Sequence, residues 1–200
     1  MWAARQGNEG VVRLLLARGD FDPDKPDNYS EAPLSAASPR GHEGVVRQPP
    51  ARDNVNPSKS DNYGGTPLSG ASAGGHEGVV RLLQARDDVN PNKPDYDEAP
   101  LWCASSEGRE GVVRILLARG DVNLNELDND GETPLWKASA TGCEEAVRLL
   151  LARDDQCSQP SSPSVFGGGR DGLRLVVRLF GGARTDYARE GEDRTDCRGL

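Results

Sequence analysis

Apolar residues in this chain come in short stripes that recur at a nearly constant interval. Val79, Val80, Leu82 and Leu83 are spaced as one face of a helix running from about Glu77 to Ala85, with Arg81 and Arg86 expected to face water. The string Glu-Gly-Val-Val-Arg that opens this stripe starts at Glu9, Glu43, Glu77 and Glu110, and an altered copy, Glu-Glu-Ala-Val-Arg, starts at Glu144. The intervals are 34, 34, 33 and 34 residues. A second marker keeps step at Ala32-Pro33-Leu34, Thr66-Pro67-Leu68, Ala99-Pro100-Leu101 and Thr133-Pro134-Leu135. A third, Pro-x-Lys, falls at Pro23/Lys25, Pro57/Lys59 and Pro91/Lys93. Three markers on one period define an internal repeat.

The third copy shows how one unit folds. Thr66 supplies a hydroxyl N-cap, and Pro67 stands at the first helical position, where a missing N–H costs nothing. Leu68 and Ala71 follow in a short helix of small residues, which lets neighbouring helices approach closely. Gly74-Gly75 ends it, because glycine accepts the left-handed conformation of a helix end. The striped second helix comes next, and Asp87 to Lys93 then carries turn chemistry into the following unit. The unit is helix, tight turn, helix, long loop. No single unit can bury its own stripe, so each helix pair must be covered by the next. The predicted fold is all-α, a helix-turn-helix solenoid with nearest-neighbour stability.

These residues resemble ankyrin repeats. The likeness lies in Gly64 to Leu68 and Gly131 to Leu135 (Gly-x-Thr-Pro-Leu), in Gly41-His42 and Gly75-His76 before the second helix, in the Val-Val-Arg-x-Leu-Leu stripe, and in the Asp-Val-Asn turns at Asp88 to Asn90 and Asp121 to Asn123. It covers residues 2–155. It implies antiparallel helix pairs with loops projecting as hairpin-like fingers, and a structural hydrogen-bonding role for His42 and His76. The unit here is mostly one residue longer than the family's 33, the extra residue falling in the finger. Asp95 to Ala99 loses it again.

Composition fits a thin stack better than a globule. Leu, Ile, Val and Phe sum to 39 of 200 residues, Gly and Pro to 38, and the formal net charge is −8. Such a chain lies at the edge of the disordered class unless a one-dimensional array reduces the apolar mass it needs. The acidic balance argues against a nucleic-acid partner, which requires a basic patch. No apolar run reaches the ~18–20 residues of a membrane span, so no membrane association is expected. Four cysteines without paired spacing (Cys103, Cys143, Cys157, Cys197) fit free thiols in a reducing cytoplasmic setting. The array is expected over residues 1–155, with units near 2–25, 26–59, 60–93, 94–126 and 127–155. A low-complexity linker is expected over 156–170, and a degenerate partial repeat with a loose tail over 171–200. Acidity is segregated: residues 1–155 hold 17 Lys/Arg against 26 Asp/Glu, the remainder 7 against 6.

The second unit departs from the pattern. After Val45-Val46-Arg47 the Leu-Leu of the stripe is replaced by Gln48-Pro49, followed by Pro50. Proline inside a helix costs about 3 kcal/mol, and each missing buried leucine about 1.5–3 kcal/mol more. Ala32 stands where Thr caps, Pro39 sits near the end of the first helix, and Ser30-Glu31 replaces the finger glycine. This unit is expected to be frayed.

Candidate chemistry is sparse. His42 and His76 have no Cys or His cluster near them in sequence, so no metal site follows. Asp128-Asn129-Asp130-Gly131 has the start of a calcium loop, but the closing Glu is absent, Lys137 standing there; it reads as a finger turn. Gly167-Gly168-Gly169 lacks the Lys-Ser/Thr of a phosphate loop. No catalytic residue, metal or cofactor is expected. Trp102 and Trp136 follow Pro-Leu in consecutive units and are expected to pack between them. Tyr29, Tyr63 and Tyr96 lie in the fingers, among aspartates and just after Lys25, Lys59 and Lys93; partner contact and a plain solvated loop both account for them. The reading is a non-enzymatic protein-interaction module, a monomeric scaffold or adaptor, binding a protein partner through Tyr63, Tyr96, Lys59, Lys93, Asp61 and Asp95. The alternative is a truncated or decayed fragment of a longer array without independent activity.

Overall fold

The computed structural model describes residues 1–18, 22–28, 30–47, 55–62, 64–95 and 98–157. Tyr29, Tyr63, Tyr96, the Gln48-Pro49-Pro50 break and the segment beyond Cys157 lie outside the described residues. Among the described residues ten α-helices form five pairs: α1 (Trp2–Arg5) with α2 (Glu9–Leu16), α3 (Pro33–Ala37) with α4 (Glu43–Val46), α5 (Pro67–Gly74) with α6 (Glu77–Gln84), α7 (Pro100–Ser106) with α8 (Glu110–Leu117), and α9 (Pro134–Thr141) with α10 (Glu144–Cys157). Odd-numbered helices pack on one another in sequence, and so do even-numbered ones, giving two layers of a solenoid. Among the described residues the only β pairing is an isolated bridge between Asp95 and Glu98.

The caps follow the sequence. Thr66 Oγ1 accepts from Ser69 N at 3.0 Å while Ser69 Oγ accepts from Thr66 N at 2.9 Å, a reciprocal capping box. Thr133 Oγ1 accepts from Trp136 N at 3.1 Å. Ala32 and Ala99 stand at the same position with no side-chain cap, a loss of about 1 kcal/mol each. Pro39 ends α3 at Ala37 and tightens the last turn into a 3₁₀ segment, Ser38–Arg40. Ser30 takes a left-handed φ of 58°, where the equivalent Gly64 and Gly131 have 84° and 75°.

The core lies between the layers. Leu68, Val79, Val80, Leu83, Leu101, Val113, Leu116 and Val147 belong to one apolar cluster that runs unbroken from the third unit to the fifth. Ala4, Ala37 and Val45 form a separate, smaller cluster joining the first two units. Helix α4 has four residues where α2, α6 and α8 have eight. A cavity of about 60 Å³ lies beside it, lined by Val12, Leu16, Leu34, Val46 and Arg86 among others.

Polar joints lock each unit to the one before it. The residue preceding the second helix reaches back to a carbonyl at the end of the previous first helix. His42 Nε2 bonds Arg5 O at 3.1 Å, His76 Nε2 bonds Pro39 O at 2.9 Å, Arg109 Nε donates to Ala73 O at 2.9 Å, and Cys143 Sγ donates to Ser106 O at 3.9 Å. The histidines therefore have the structural role that the resemblance implied. Each joint lies over a left-handed glycine: a methyl added at Gly41 (φ 73°) would stand 2.5 Å from His76 Nδ1. At the far end of the second helices, Arg119 donates to Gln84 O at 3.0 Å and forks onto Asp121, and Arg86 forks onto Asp88. Arg86 was expected in water. It is half-buried instead, because its guanidinium reaches Val55 O of the neighbouring unit at 3.4 Å.

Candidate functional site

The fingers and the first-helix layer form one face of the stack, and the fingers are built on a repeated aspartate turn. Asp61 N donates to Gly65 O at 3.1 Å and Gly64 N to Asp61 O at 3.1 Å, while Asp61 Oδ1 accepts from Gly65 N at 2.9 Å. Asp128 repeats this with Gly131 and Glu132, its Oδ1 also accepting from Asp130 N. Asp128 to Gly131 is thus a finger turn. The fourth unit, one residue shorter, pairs Asp95 N with Glu98 O at 2.9 Å and Glu98 N with Asp95 O at 2.7 Å. That change of register removes the turn's use for the Asp95 side chain. Asp95 Oδ2 accepts from Ser69 Oγ at 3.1 Å, and Asp95 Oδ1 is buried without a partner. Burial, with Asp61 nearby, pushes the Asp95 carboxyl above its ordinary value.

Of the residues singled out for a partner, Asp61 and Asp95 lie at neighbouring finger bases. Lys59 and Lys93 reach back along the stack, their ammonium groups donating to Asp24 O and Ser58 O, each at 2.6 Å. Tyr63 and Tyr96 lie outside the described residues.

A groove of about 300 Å³ opens on the same face between the fourth and fifth units, lined by Glu98, Trp102, Cys103, Glu107, Lys137 and Thr141 among others. Trp102 is 6% exposed, and its indole N–H is buried with no acceptor. The Lys137 ammonium stands 4.9 Å from the Trp102 ring centre and 6.0 Å from that of Trp136, so the two tryptophans are tied across the unit boundary by one cation. Lys137 also pairs with Glu132 at 3.5 Å. Glu98 sits above its ordinary carboxyl value, through burial first and then through Asp128 and Asp95. The Cys103 thiol is pushed up to about 12, mainly by burial, so it stays protonated and unreactive at neutral pH. A second depression, of about 550 Å³, opens at the turns; its lining residues Glu144 and Glu145 pair with Arg148 and Arg114.

A family model described as ankyrin repeats in three copies matches residues 48–127 and 85–160, and a single ankyrin repeat model matches residues 1–28. The chain belongs to the ankyrin repeat family. A comparison with curated proteins found no match. Ankyrin repeats generally act as protein-interaction modules and are typically non-catalytic. Among the described residues of this ankyrin stack, no helix is long and apolar enough to cross a membrane, and no group of three or more His, Cys, Asp or Glu is placed to hold a metal ion.

Sequence reasoning missed two contacts of this ankyrin stack. Arg109 holds the joint that His42 and His76 hold elsewhere, a substitution readable by counting 34 and 33 residues along the chain. The Lys137–Trp102 contact leaves no such trace, because it depends on how far one unit rotates over the next.

Proposed function

We propose that this chain is a non-enzymatic protein-interaction module, a monomeric cytoplasmic scaffold or adaptor. Its finger and first-helix face over residues 61–136 receives a protein partner. The observation that carries the reading is the unbroken core from Leu68 to Leu150 beneath that face. A surface held by such a core is ordered before binding, and preorganisation lowers the cost of association. Tyr63 and Tyr96 supply aromatic anchors one repeat apart. Asp61 and Asp95 supply acidic character toward a partner with a basic rim, and Lys59 and Lys93 hold the fingers in place. A second reading, a decayed or truncated fragment without independent activity, is favoured by the shortened α4 and the division of the core beside it.

The test begins with affinity capture of a partner from cytosol. Tyr63→Ala combined with Tyr96→Ala then weakens binding by at least about 1–2 kcal/mol, the scale of interface hot spots, with the helical signal intact. Charge reversal of Arg81 and Arg114, on the opposite layer, has little effect. Loss of binding on that reversal with a neutral tyrosine pair refutes the assigned face. Absence of any specific partner favours the fragment reading.

A further inference from the structure

We propose that the groove between the fourth and fifth units takes an arginine side chain from an extended segment of the partner, seated against Glu98. The inference rests on the protein-binding reading above and names the partner's chemistry. Its first support is a comparison in register along the stack. Glu31, Glu98 and Glu132 occupy the same finger position in their units. Glu31 pairs with Arg5 and with Arg40, and Glu132 pairs with Lys137. Glu98 makes no ion pair among the described residues. The position in its unit that corresponds to Lys137 is Cys103, whose Sγ lies 4.0 Å from Glu98 Oε2. The finger glutamate pairs with an internal cation at two units; around Glu98 the Lys137 position holds a thiol, and the positions of Arg5 and Arg40 hold Ala73 and Glu107.

The field around Glu98 is unbalanced. Asp95, Glu107 and Asp128 all act on it with the same sign, against Lys137 alone. Lys137 is engaged with Glu132 and the Trp102 ring, and Arg109, the nearest cation to Glu107 at 3.8 Å, is held by Ala73 O. A positive group entering the groove is therefore favoured.

The second support is independent of charge. The Trp102 indole N–H is a buried donor without an acceptor, a state that costs about 1–3 kcal/mol. An arginine-bearing peptide brings a guanidinium for Glu98 and, along its backbone, carbonyl acceptors to the groove that Trp102 lines. A metal ion is disfavoured because no group of three or more ligating side chains is found among the described residues. An anion is disfavoured by Glu98 and Glu107. Between the two basic side chains, guanidinium is less strongly hydrated than ammonium and presents two parallel N–H donors to a carboxylate.

The probe is the peptide acetyl-Ala-Arg-Ala-Arg-Ala-amide, compared with its citrulline version, which keeps the shape and removes the charge. The readout is the Trp102 indole N–H resonance of the full chain, assigned with Trp102→Phe. The arginine peptide is expected to move this resonance along a saturable curve, with citrulline binding about tenfold weaker, the scale of one charge-assisted hydrogen bond. Glu98→Gln is expected to weaken the arginine peptide similarly, while Glu145→Gln on the opposite layer leaves it unchanged; circular dichroism checks that both variants remain helical. An unmoved Trp102 resonance, equal binding of the two peptides, or indifference to Glu98→Gln overturns the proposal. A protein partner that binds the finger face without dependence on Glu98 also overturns it, while leaving the interaction-module reading in place.

Discussion

The joint at Gly41 is the sharpest place to perturb the stack. Gly41 has φ 73°, and a methyl added there would stand 2.5 Å from His76 Nδ1, the ring that bonds Pro39 O. Gly41→Ala therefore carries two penalties. The left-handed backbone costs about 1–2 kcal/mol for a residue with Cβ. Displacing the ring forfeits a hydrogen bond of about 0.5–1.5 kcal/mol. The total is about 2–3 kcal/mol. Gly142 is the internal control: it has φ 75°, and a methyl there meets nothing within 4 Å among the described residues. Gly142→Ala should cost only the backbone part, about 1–2 kcal/mol. His76→Ala alone should cost about 1 kcal/mol. The double variant Gly41→Ala with His76→Ala should cost about 1 kcal/mol less than the two singles added, because the clash exists only while both groups are present. Urea denaturation followed by circular dichroism and by tryptophan fluorescence supplies the free energies, coincidence of the two transitions checking that one cooperative unit is measured. Equal costs at Gly41 and Gly142, or a strictly additive double variant, would show that His76 does not meet a side chain at position 41.

Three further outcomes are expected. Ser30→Gly should stabilise the chain by about 0.5–1 kcal/mol by relieving the left-handed φ of 58°; the check is a melting temperature higher by about 1–4 °C. Replacing Gln48, Pro49 and Pro50 by Leu, Leu and Gln, the residues found at Leu82, Leu83 and Gln84, should also raise the melting temperature. Glu98→Gln should stabilise at pH 7 and lose that advantage in acid. The folded-state carboxyl is raised above its ordinary 4.5, so its protonated form favours folding below that value, and this contribution is lost as pH rises through the raised one. Melting temperatures of both chains from pH 3 to pH 8 check the sign.

The repeat made most of the fold legible, because a period repeated five times averages out local ambiguity. The helix starts at Pro67, Pro100 and Pro134, and the stripe of Val79, Val80 and Leu83, follow from cap chemistry and spacing alone. The weakness of the second unit was legible through Pro39 and Ser30, each of which acts on its own backbone. Arg86 was misplaced because its burial comes from a carbonyl about thirty residues away. The groove was invisible for a related reason. Glu98, Trp102 and Lys137 meet only after two units stack, and the single-residue shortening of one finger, which is visible in the sequence, gives no direction to the Asp95 side chain it releases.

The chain is a nearest-neighbour stack, each unit locked to the one before it, with the unbroken core lying beneath residues 61–136. Residue-resolved hydrogen exchange on His76→Ala against the parent tests this most directly. In the parent, protection should be strongest over α6 and α8 and weaker over α2 and α4, where the core is divided. In the variant, the loss of protection should concentrate on residues 33–47 and 67–84, the two units joined by that histidine, and should leave residues 134–150 unaffected. Equal protection of α4 and α8 in the parent, or a loss spread evenly over all five units in the variant, would show that the units are not coupled neighbour to neighbour.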